Sequence, residues 1–181
     1  ADSARRMGAA FTAHAVAKRY LALVRGWAPA EASVDHPLRP DDAPPDAPAQ
    51  AARTHFRRLA RLDWPEAFDP RFAGSRLSLV EARPETGRRH QIRRHLKHLA
   101  HPIIGDATHG KGPLNRWWAE RLGRQRLWLH AWQLDFAHPY SGERVVVDSG
   151  LRLRGARLEA DAGAGPDLRA WQGVSGRGEW C

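Results

Sequence analysis

The sequence gathers groups that could bind a phosphate or a carboxylate in one short segment, Glu85 to His98. No acidic residue occurs between Thr86 and Gly105, while five fixed cations follow one another closely. Guanidinium forks, backbone N–H groups and the start of a helix all suit such ligands. A charge run can equally be the solvated face of a helix, and composition alone gives the two interpretations equal weight. The five cations are Arg88, Arg89, Arg93, Arg94 and Lys97.

A helix from about Arg88 to Leu99 is predicted to carry these cations, with Gly87 at its start and Pro102 beyond its end. Its apolar positions recur at i, i+4 and i+7, which is typical of one face packed on a core. The cations therefore occupy the remaining arc of the helix, and some must flank the buried side. The apolar positions are Ile92, Leu96 and Leu99.

Histidines crowd the same region and raise the question of a metal site. His95 and His98 are three residues apart on the predicted helix, a spacing that can hold a metal ion. No cysteine or carboxylate stands among them, and the neighbouring cations would repel Zn²⁺. We therefore predict no metal, and imidazoles that hydrogen-bond to RNA or stack on it. The histidines concerned are His90, His95, His98, His101 and His109.

The charge balance of the chain favours a polyanionic partner. The 181 residues include 29 Lys and Arg against 20 Asp and Glu, which gives a formal charge of +9. The single cysteine, Cys181, excludes a disulfide framework and a cysteine-based zinc module. No apolar run approaches 18 residues, so we expect no membrane-spanning segment.

The pattern of predicted elements indicates an α+β fold. A helix capped by Asp2 or Ser3 is followed by a strand over 18–25 with apolar residues on both faces, which predicts a central position in a sheet. The strand over 54–64 alternates so that one face is basic, with Leu59 on that face. Residues 1–158 are expected to form one domain and residues 159–181 a loosely structured tail. The remaining expected elements are strands over 33–38, 76–82, 127–136 and 144–147, a surface loop over 39–50, a connection over 65–74 and a short helix over 114–122.

Several separated motifs resemble the RluA-type pseudouridine synthases, most of all their tRNA-modifying C branch. Gly87–Leu96 followed by His101–Asp106 resembles the late motif of that family, and Lys18–Gly26 resembles its Lys-x-Tyr strand. The motifs occur in the family's order and spacing, and the likeness covers about Phe11 to Leu151. Shorter segments that extend it are Val34–Leu38, Thr54–Arg57, Thr108–Gly110, Leu129–Ala131 and His138–Glu143.

The resemblance implies a mixed, largely antiparallel sheet with flanking helices, the catalytic-domain fold of pseudouridine synthases. It also implies isomerisation of uridine to pseudouridine in tRNA, at a T-stem uridine of the position-65 type, by a cytoplasmic monomer without cofactor or metal. In this family an aspartate attacks a uridine that is flipped out of the RNA. Flipping costs a few kcal/mol, which stacking and phosphate contacts must offset.

Carried over by motif, the resemblance assigns roles to individual residues. Tyr20 would stack on the flipped base and assist proton removal, and Arg93 would pair with the catalytic carboxylate, with Arg88 as the competing choice. His90 and Gln91 would position the loop or the nucleotide. Ile92 would line the pocket floor, a role compatible with a place in the core. The expected substrate-binding set is Lys18, Arg88, Arg89, His90, Gln91, Ile92 and Arg94.

One part of the family pattern has no counterpart in the 181 residues. The nucleophilic aspartate of the family lies in a His-Arg-Leu-Asp-x-x-Thr-Ser-Gly segment ahead of the Lys-x-Tyr strand, and Asp63, in Arg61-Leu62-Asp63, follows that strand and lacks the flanking residues. The first residue is Ala1 rather than methionine, as in a processed secreted protein or a piece of a longer protein. We expect a piece of a longer protein in which the missing segment lies upstream of Ala1. We also expect the 181 residues to be inactive alone. The alternative function is a basic RNA-binding module without catalysis.

Overall fold

The structure, a computed structural model, describes residues 2–44 and 46–151. The tail expected over 159–181 lies outside the described residues, as do the last residues of the domain expected over 1–158. The elements in chain order are α1 (Asp2–Thr12), β1 (Ala17–Arg25), β2 (Glu31–Asp35), β3 (Arg53–Trp64), β4 (Ser75–Pro84), α2 (Gln91–His98), α3 (Gly112–Arg121), β5 (Leu129–Ala137) and β6 (Arg144–Asp148).

The six strands form one sheet in the order β2-β3-β4-β1-β5-β6, and every pairing among them is antiparallel. The predicted α+β class and largely antiparallel sheet are confirmed. β1 lies inside the sheet, as the apolar residues on both of its faces predicted. Four consecutive residues of β1, Leu21 to Val24, are fully buried.

The strand register separates two faces of the sheet. Tyr20 lies opposite Ala82, and Ala82 lies opposite Phe56, so these side chains share one face with Thr54. The Thr54 side chain hydrogen-bonds to residues of α2, which shows that α2 packs on this face. We call it the helix face. Glu81 lies on the opposite side, which we call the arginine face.

Each face of the sheet has its own apolar core. Ile92 and Leu96 of α2 are buried on the helix face, as their helical spacing predicted. On the arginine face, α3 packs through Trp118, whose ring meets that of Trp64 edge to face at 5.5 Å. α1 has no buried residue among those that the structure describes, and Phe11 is 42% exposed. No helix within the described ranges is long and apolar enough to cross a membrane.

Two local predictions differ from the structure. Leu59 was placed on the basic face of β3, but the register of β3 against β4 shifts between Arg58 and Ala60, and Leu59 is buried. This bulge lets the alternation change phase without exposing the leucine. The helix expected from Arg88 begins at Gln91, because His90 adopts a left-handed conformation with φ of 54°.

Glu81 is the centre of an ion cluster on the arginine face. Its side chain is fully buried and accepts hydrogen bonds from Arg19 at 2.5 Å, Arg83 at 2.8 Å and Arg57 at 2.9 Å. Burial opposes ionisation of this carboxyl, but the guanidiniums of Arg83, Arg19 and Arg57 outweigh it and lower the pKa of Glu81 to about 2. The cluster joins β1, β3 and β4 by charge as well as by backbone hydrogen bonds.

Candidate functional site

Lys18 and Tyr20 reach the helix face from β1, two residues apart on the same side of the strand. The Lys18 ammonium donates to the carbonyl oxygen of Thr86 at 3.3 Å and lies beside Gly87, where the Arg-rich segment begins. Burial lowers the pKa of Lys18 and raises the pKa of the Tyr20 phenol. The Lys-x-Tyr strand is therefore packed against the segment that the sequence predicted to join it.

Gln91 fastens that segment to β3. Its side-chain oxygen accepts from the Thr86 hydroxyl at 2.7 Å and from the Arg88 backbone N–H at 2.9 Å. Its amide nitrogen donates to the Arg53 carbonyl at 2.9 Å and to the Thr54 hydroxyl at 3.0 Å. These four hydrogen bonds tie the loop at Thr86–Arg88 and the start of α2 to β3.

Arg93 forms a two-point ion pair with Asp106. The Nε and Nη2 atoms donate to the two carboxylate oxygens at 2.9 and 2.8 Å. Asp106 is fully buried and also accepts from the backbone N–H groups of Thr108 at 3.0 Å and His109 at 2.7 Å. Burial alone would raise the pKa of Asp106, but Arg93 and the His109 N–H outweigh it and hold that pKa below its usual range. The carboxylate that the structure gives Arg93 is thus Asp106.

Backbone contacts to β1 fix the position of Asp106. The Ile104 N–H donates to the Leu23 carbonyl at 2.9 Å, and the Leu23 N–H donates to the Trp128 carbonyl at 3.0 Å. Gly105 follows with φ of 77°, and a Cβ there would lie 1.7 Å from the Arg126 carbonyl oxygen. Only glycine fits this approach, so the turn that presents Asp106 is held against the central strand.

The other predicted cations point in different directions. Arg88, the competing choice for the carboxylate pair, donates instead to the Ala51 carbonyl at 3.0 Å. Arg94 lies 3.4 Å from Asp41, and Arg89 lies 3.9 Å from Asp42, both in the loop expected over 39–50. This acidic loop lies against the start of α2 and partly neutralises the cations there, an arrangement that the sequence pattern did not reveal.

The histidines near α2 are engaged in contacts within the protein. The rings of His90 and His109 meet edge to face at 5.4 Å, and burial is the main cause that lowers the pKa of His109. His95 is buried and hydrogen-bonds to the Thr54 hydroxyl at 3.0 Å, while His98 stacks on His36 at 4.4 Å. Within the two described ranges, no group of three or more His, Cys, Asp or Glu side chains is arranged to hold a metal ion.

The predicted site residues fall into two groups. Four residues lie on the helix face or in α2, which packs on it, and the guanidiniums of Arg89 and Arg94 are directed to the acidic loop. The four are Lys18, Tyr20, Gln91 and Arg93. Ile92 is buried in the core. Asp106 lies in the His101–Asp106 motif, but the sequence pattern predicted no role for it. The available signal was its place as the first carboxylate after the long cationic stretch.

Comparison with known proteins shows that the chain is similar to RNA pseudouridylate synthases. A family model described as RNA pseudouridylate synthase matches residues 1–98. A protein of Vibrio cholerae named tRNA pseudouridine synthase C is 44% identical over 148 residues, which cover 78% of this chain and 60% of that protein. Its namesake in Salmonella typhimurium is 41% identical over 162 residues, which cover 83% of this chain and 60% of that protein. The chain thus spans about three fifths of the length of these relatives.

Solved structures agree with the sequence matches. Human RNA pseudouridylate synthase domain containing 1 superimposes with a TM-score of 0.60 at 28% identity, covering 81% of this chain and 58% of that one. Human RNA pseudouridylate synthase domain containing 4 gives a TM-score of 0.57 at 25% identity, with 81% and 62% covered. The predicted resemblance is confirmed, and the chain belongs to the RNA pseudouridylate synthase family.

Proposed function

We propose that the protein containing this chain isomerises uridine to pseudouridine in tRNA, with the T-stem uridine at position 65 as its target. The observation that carries the proposal is the joining of the Lys-x-Tyr strand to the Arg-rich segment on one face of the sheet, by the Lys18 contact with Thr86. The names of the similar proteins and the charge of +9 support an RNA substrate.

The reaction balances without an added reagent. The bond between C1′ of the ribose and N1 of uracil breaks, a bond between C1′ and C5 forms, C5 loses a proton and N1 gains one. The isomerisation therefore needs only a carboxylate nucleophile and a pocket that holds the detached base during its rotation. We propose that the nucleophile comes from a segment outside the 181 residues, so that these residues alone do not turn over.

Tyr20 suits the stacking part of its predicted role better than the proton transfer. Burial raises the pKa of its phenol, so the ring is neutral at neutral pH and can lie against uracil. Removal of a proton by this oxygen would need the phenolate, which the same burial disfavours. We therefore assign Tyr20 to the holding of the base.

Arg93 remains our choice for pairing with the nucleophilic carboxylate, with Asp106 as a positioning residue. Asp106 accepts from the Nε and Nη2 atoms of Arg93. A buried bidentate pair fixes the plane of the guanidinium before any substrate is present. Preorganisation of this kind lowers the cost of reaching the reactive geometry.

The test measures release of tritium from tRNA labelled at C5 of uridine. The 181-residue chain should release none, whereas the chain preceded by the N-terminal part of the Vibrio cholerae relative should be active. In that active chimaera, Asp106→Asn should lower kcat with little change in KM, because it loosens Arg93 rather than RNA contacts. Turnover by the 181 residues alone would require another nucleophile. A chimaera that binds tRNA without isomerising it would favour the non-catalytic binding module.

A further inference from the structure

A second surface whose side chains are suited to binding RNA lies at the other end of β1. A groove of about 860 Å³ runs between the end of β1, the connection from β3 to β4 and the start of α3. Phe68 and Phe72 line it, and Phe72 is 63% exposed. From Tyr20 to Arg25, at the edge of the groove, β1 rises by roughly 17 Å. The groove is therefore separate from the base-holding site.

Arginine side chains stack on two aromatic rings that neighbour the groove, Trp27 and Trp117, without lining it. The guanidinium of Arg76, which lines the groove, lies 4.1 Å from the centre of the exposed Trp27 ring, and that of Arg61 lies 5.1 Å from it. The Arg121 guanidinium lies 3.8 Å from the centre of the Trp117 ring, which Phe68 meets edge to face at 6.1 Å. Flat rings and guanidinium planes of this kind are the surfaces on which unpaired bases stack.

The charges lining the groove are mostly positive. Arg25, Arg76 and Lys111 line it, and within residues 2–44 and 46–151 none of the three has a carboxylate within 4.0 Å. Of the two acidic residues that line it, Asp69 is bound by Arg71 at 2.5 Å. Cations without carboxylate partners beside exposed aromatic rings complement a strand that has phosphates on one side and bases on the other.

The groove also contains buried donors without acceptors. Trp64 and Trp118 both line it, and their indole N–H groups have no hydrogen-bond partner in the described part of the chain. A buried donor without an acceptor is costly, so these two tryptophans pack beneath the groove at some expense of stability.

We propose that this groove binds unpaired nucleotides of the RNA substrate, outside the target uridine. The proposal rests on the proposed function for the identity of the RNA, but the contacts are those of any single strand. Bases would stack on Phe72 in the groove and on Trp27 beside it, and phosphates would bind Arg76 and Lys111. A second copy of this chain is a poorer occupant, because its own charge of +9 would be repelled by the cations of the groove.

The experiment measures fluorescence anisotropy of a labelled decamer of adenosine and of a labelled tRNA transcript, each titrated with the 181-residue chain. The decamer contains no uridine, so its binding does not depend on the base-holding site. The double variant Trp27→Ala/Phe72→Ala should bind both probes at least about tenfold more weakly. The double variant Arg76→Gln/Lys111→Gln should also reduce the dependence of decamer affinity on salt.

Phe11→Ala is the matched control, because it removes an exposed phenylalanine far along the chain from the groove. It should leave both affinities unchanged, and far-UV circular dichroism should show all variants folded. Unchanged decamer affinity in both groove variants overturns the proposal, and so does a wild-type chain that binds tRNA without binding the decamer. Neither result affects tritium release in the chimaera, which tests the isomerase separately. A wild-type dimer that the Trp27→Ala/Phe72→Ala change dissociates, with decamer affinity unaltered, would identify a self-association surface instead.

Discussion

Glu81 and Asp106 are two buried carboxylates whose charge the protein balances in different ways. Glu81 binds three guanidiniums, those of Arg19, Arg57 and Arg83, whose side chains are 32%, 51% and 51% exposed. Asp106 binds one guanidinium, that of Arg93, which is only 11% exposed, and takes its other hydrogen bonds from the backbone.

The difference shows where this fold needs redundancy and where it needs a single geometry. On the arginine face, each arginine retains access to water, so the loss of one leaves the carboxylate with two partners. At Asp106, the loss of one side chain leaves a buried negative charge with backbone N–H groups alone. A pair without a substitute is a fragile way to stabilise a fold but an effective way to orient a guanidinium.

The largest effect on stability is expected at the ion pair between Arg93 and Asp106. Arg93→Ala should lower the free energy of unfolding by about 3–5 kcal/mol, because it leaves Asp106 buried without its counter-ion. Urea unfolding at neutral pH measures this. The double variant Arg93→Met/Asp106→Asn should recover part of the loss, since neither charge is then present. A loss below about 1 kcal/mol for Arg93→Ala would show that the backbone N–H groups suffice.

The next effect is the acid sensitivity of Glu81. Its pKa falls from the usual 4.5 to about 2 in the folded protein. A folded pKa below the unfolded one contributes stability that is complete above about pH 4.5 and is lost as the pH falls toward 2. The contribution amounts to about 3 kcal/mol.

The free energy of unfolding, measured from pH 7 to pH 2, should therefore fall less steeply below pH 4.5 in Glu81→Gln than in the wild type. The surface variant Glu143→Gln should keep the slope of the wild type. Parallel curves for Glu81→Gln and the wild type would contradict the assignment of this acid sensitivity to Glu81.

A smaller effect is expected when one arginine of the shared cluster is removed. Arg57→Gln should cost about 1 kcal/mol or less, because Arg19 and Arg83 still neutralise Glu81. Adding Arg83→Gln should cost more than the sum of the two single changes, since redundancy is then exhausted. Thermal or urea unfolding of the three variants measures this coupling. Strict additivity would mean that the arginines act independently.

The smallest effect is a difference in salt dependence between the ion pairs of Glu81 and that of Asp106. Raising NaCl from 0.1 M to 1 M shortens the screening length from about 10 Å to about 3 Å. The cost of Arg57→Gln should shrink by a few tenths of a kcal/mol, because Arg57 is half exposed. The cost of Arg93→Ala should stay the same within error, because its pair is shielded from the solvent. Equal salt dependence of the two stability costs would contradict the difference in solvent access between the two ion pairs.

Much of the fold could be predicted from residue patterns of short range. The apolar run of β1 and the i, i+4, i+7 spacing of α2 are local signals, and the burial of Leu21 to Val24 and of Ile92 and Leu96 agrees with them. Strict alternation over residues 54–64 does not predict the bulge at Leu59, because a change of phase depends on the partner strand.

The site was predicted less completely, because its contacts join residues that are far apart in the chain. Arg93 and Asp106 are thirteen residues apart and separated by a helix end and a glycine turn. The Glu81 cluster depends on the register of three strands, which no local pattern reveals. The start of α2 at Gln91 depends on the left-handed conformation of His90, which the helical periodicity does not reveal.

The hydrogen bonds of Leu23 to Trp128 and Ile104 have a consequence for heat inactivation. The strand that displays the phenol is also the strand that anchors the turn beneath the guanidinium. Both parts of the proposed site therefore depend on β1, and melting of that strand would displace Tyr20 and Asp106 together. On warming, the active chimaera should lose turnover at the same temperature at which its sheet melts, with no lower temperature at which the sheet is intact and turnover is lost.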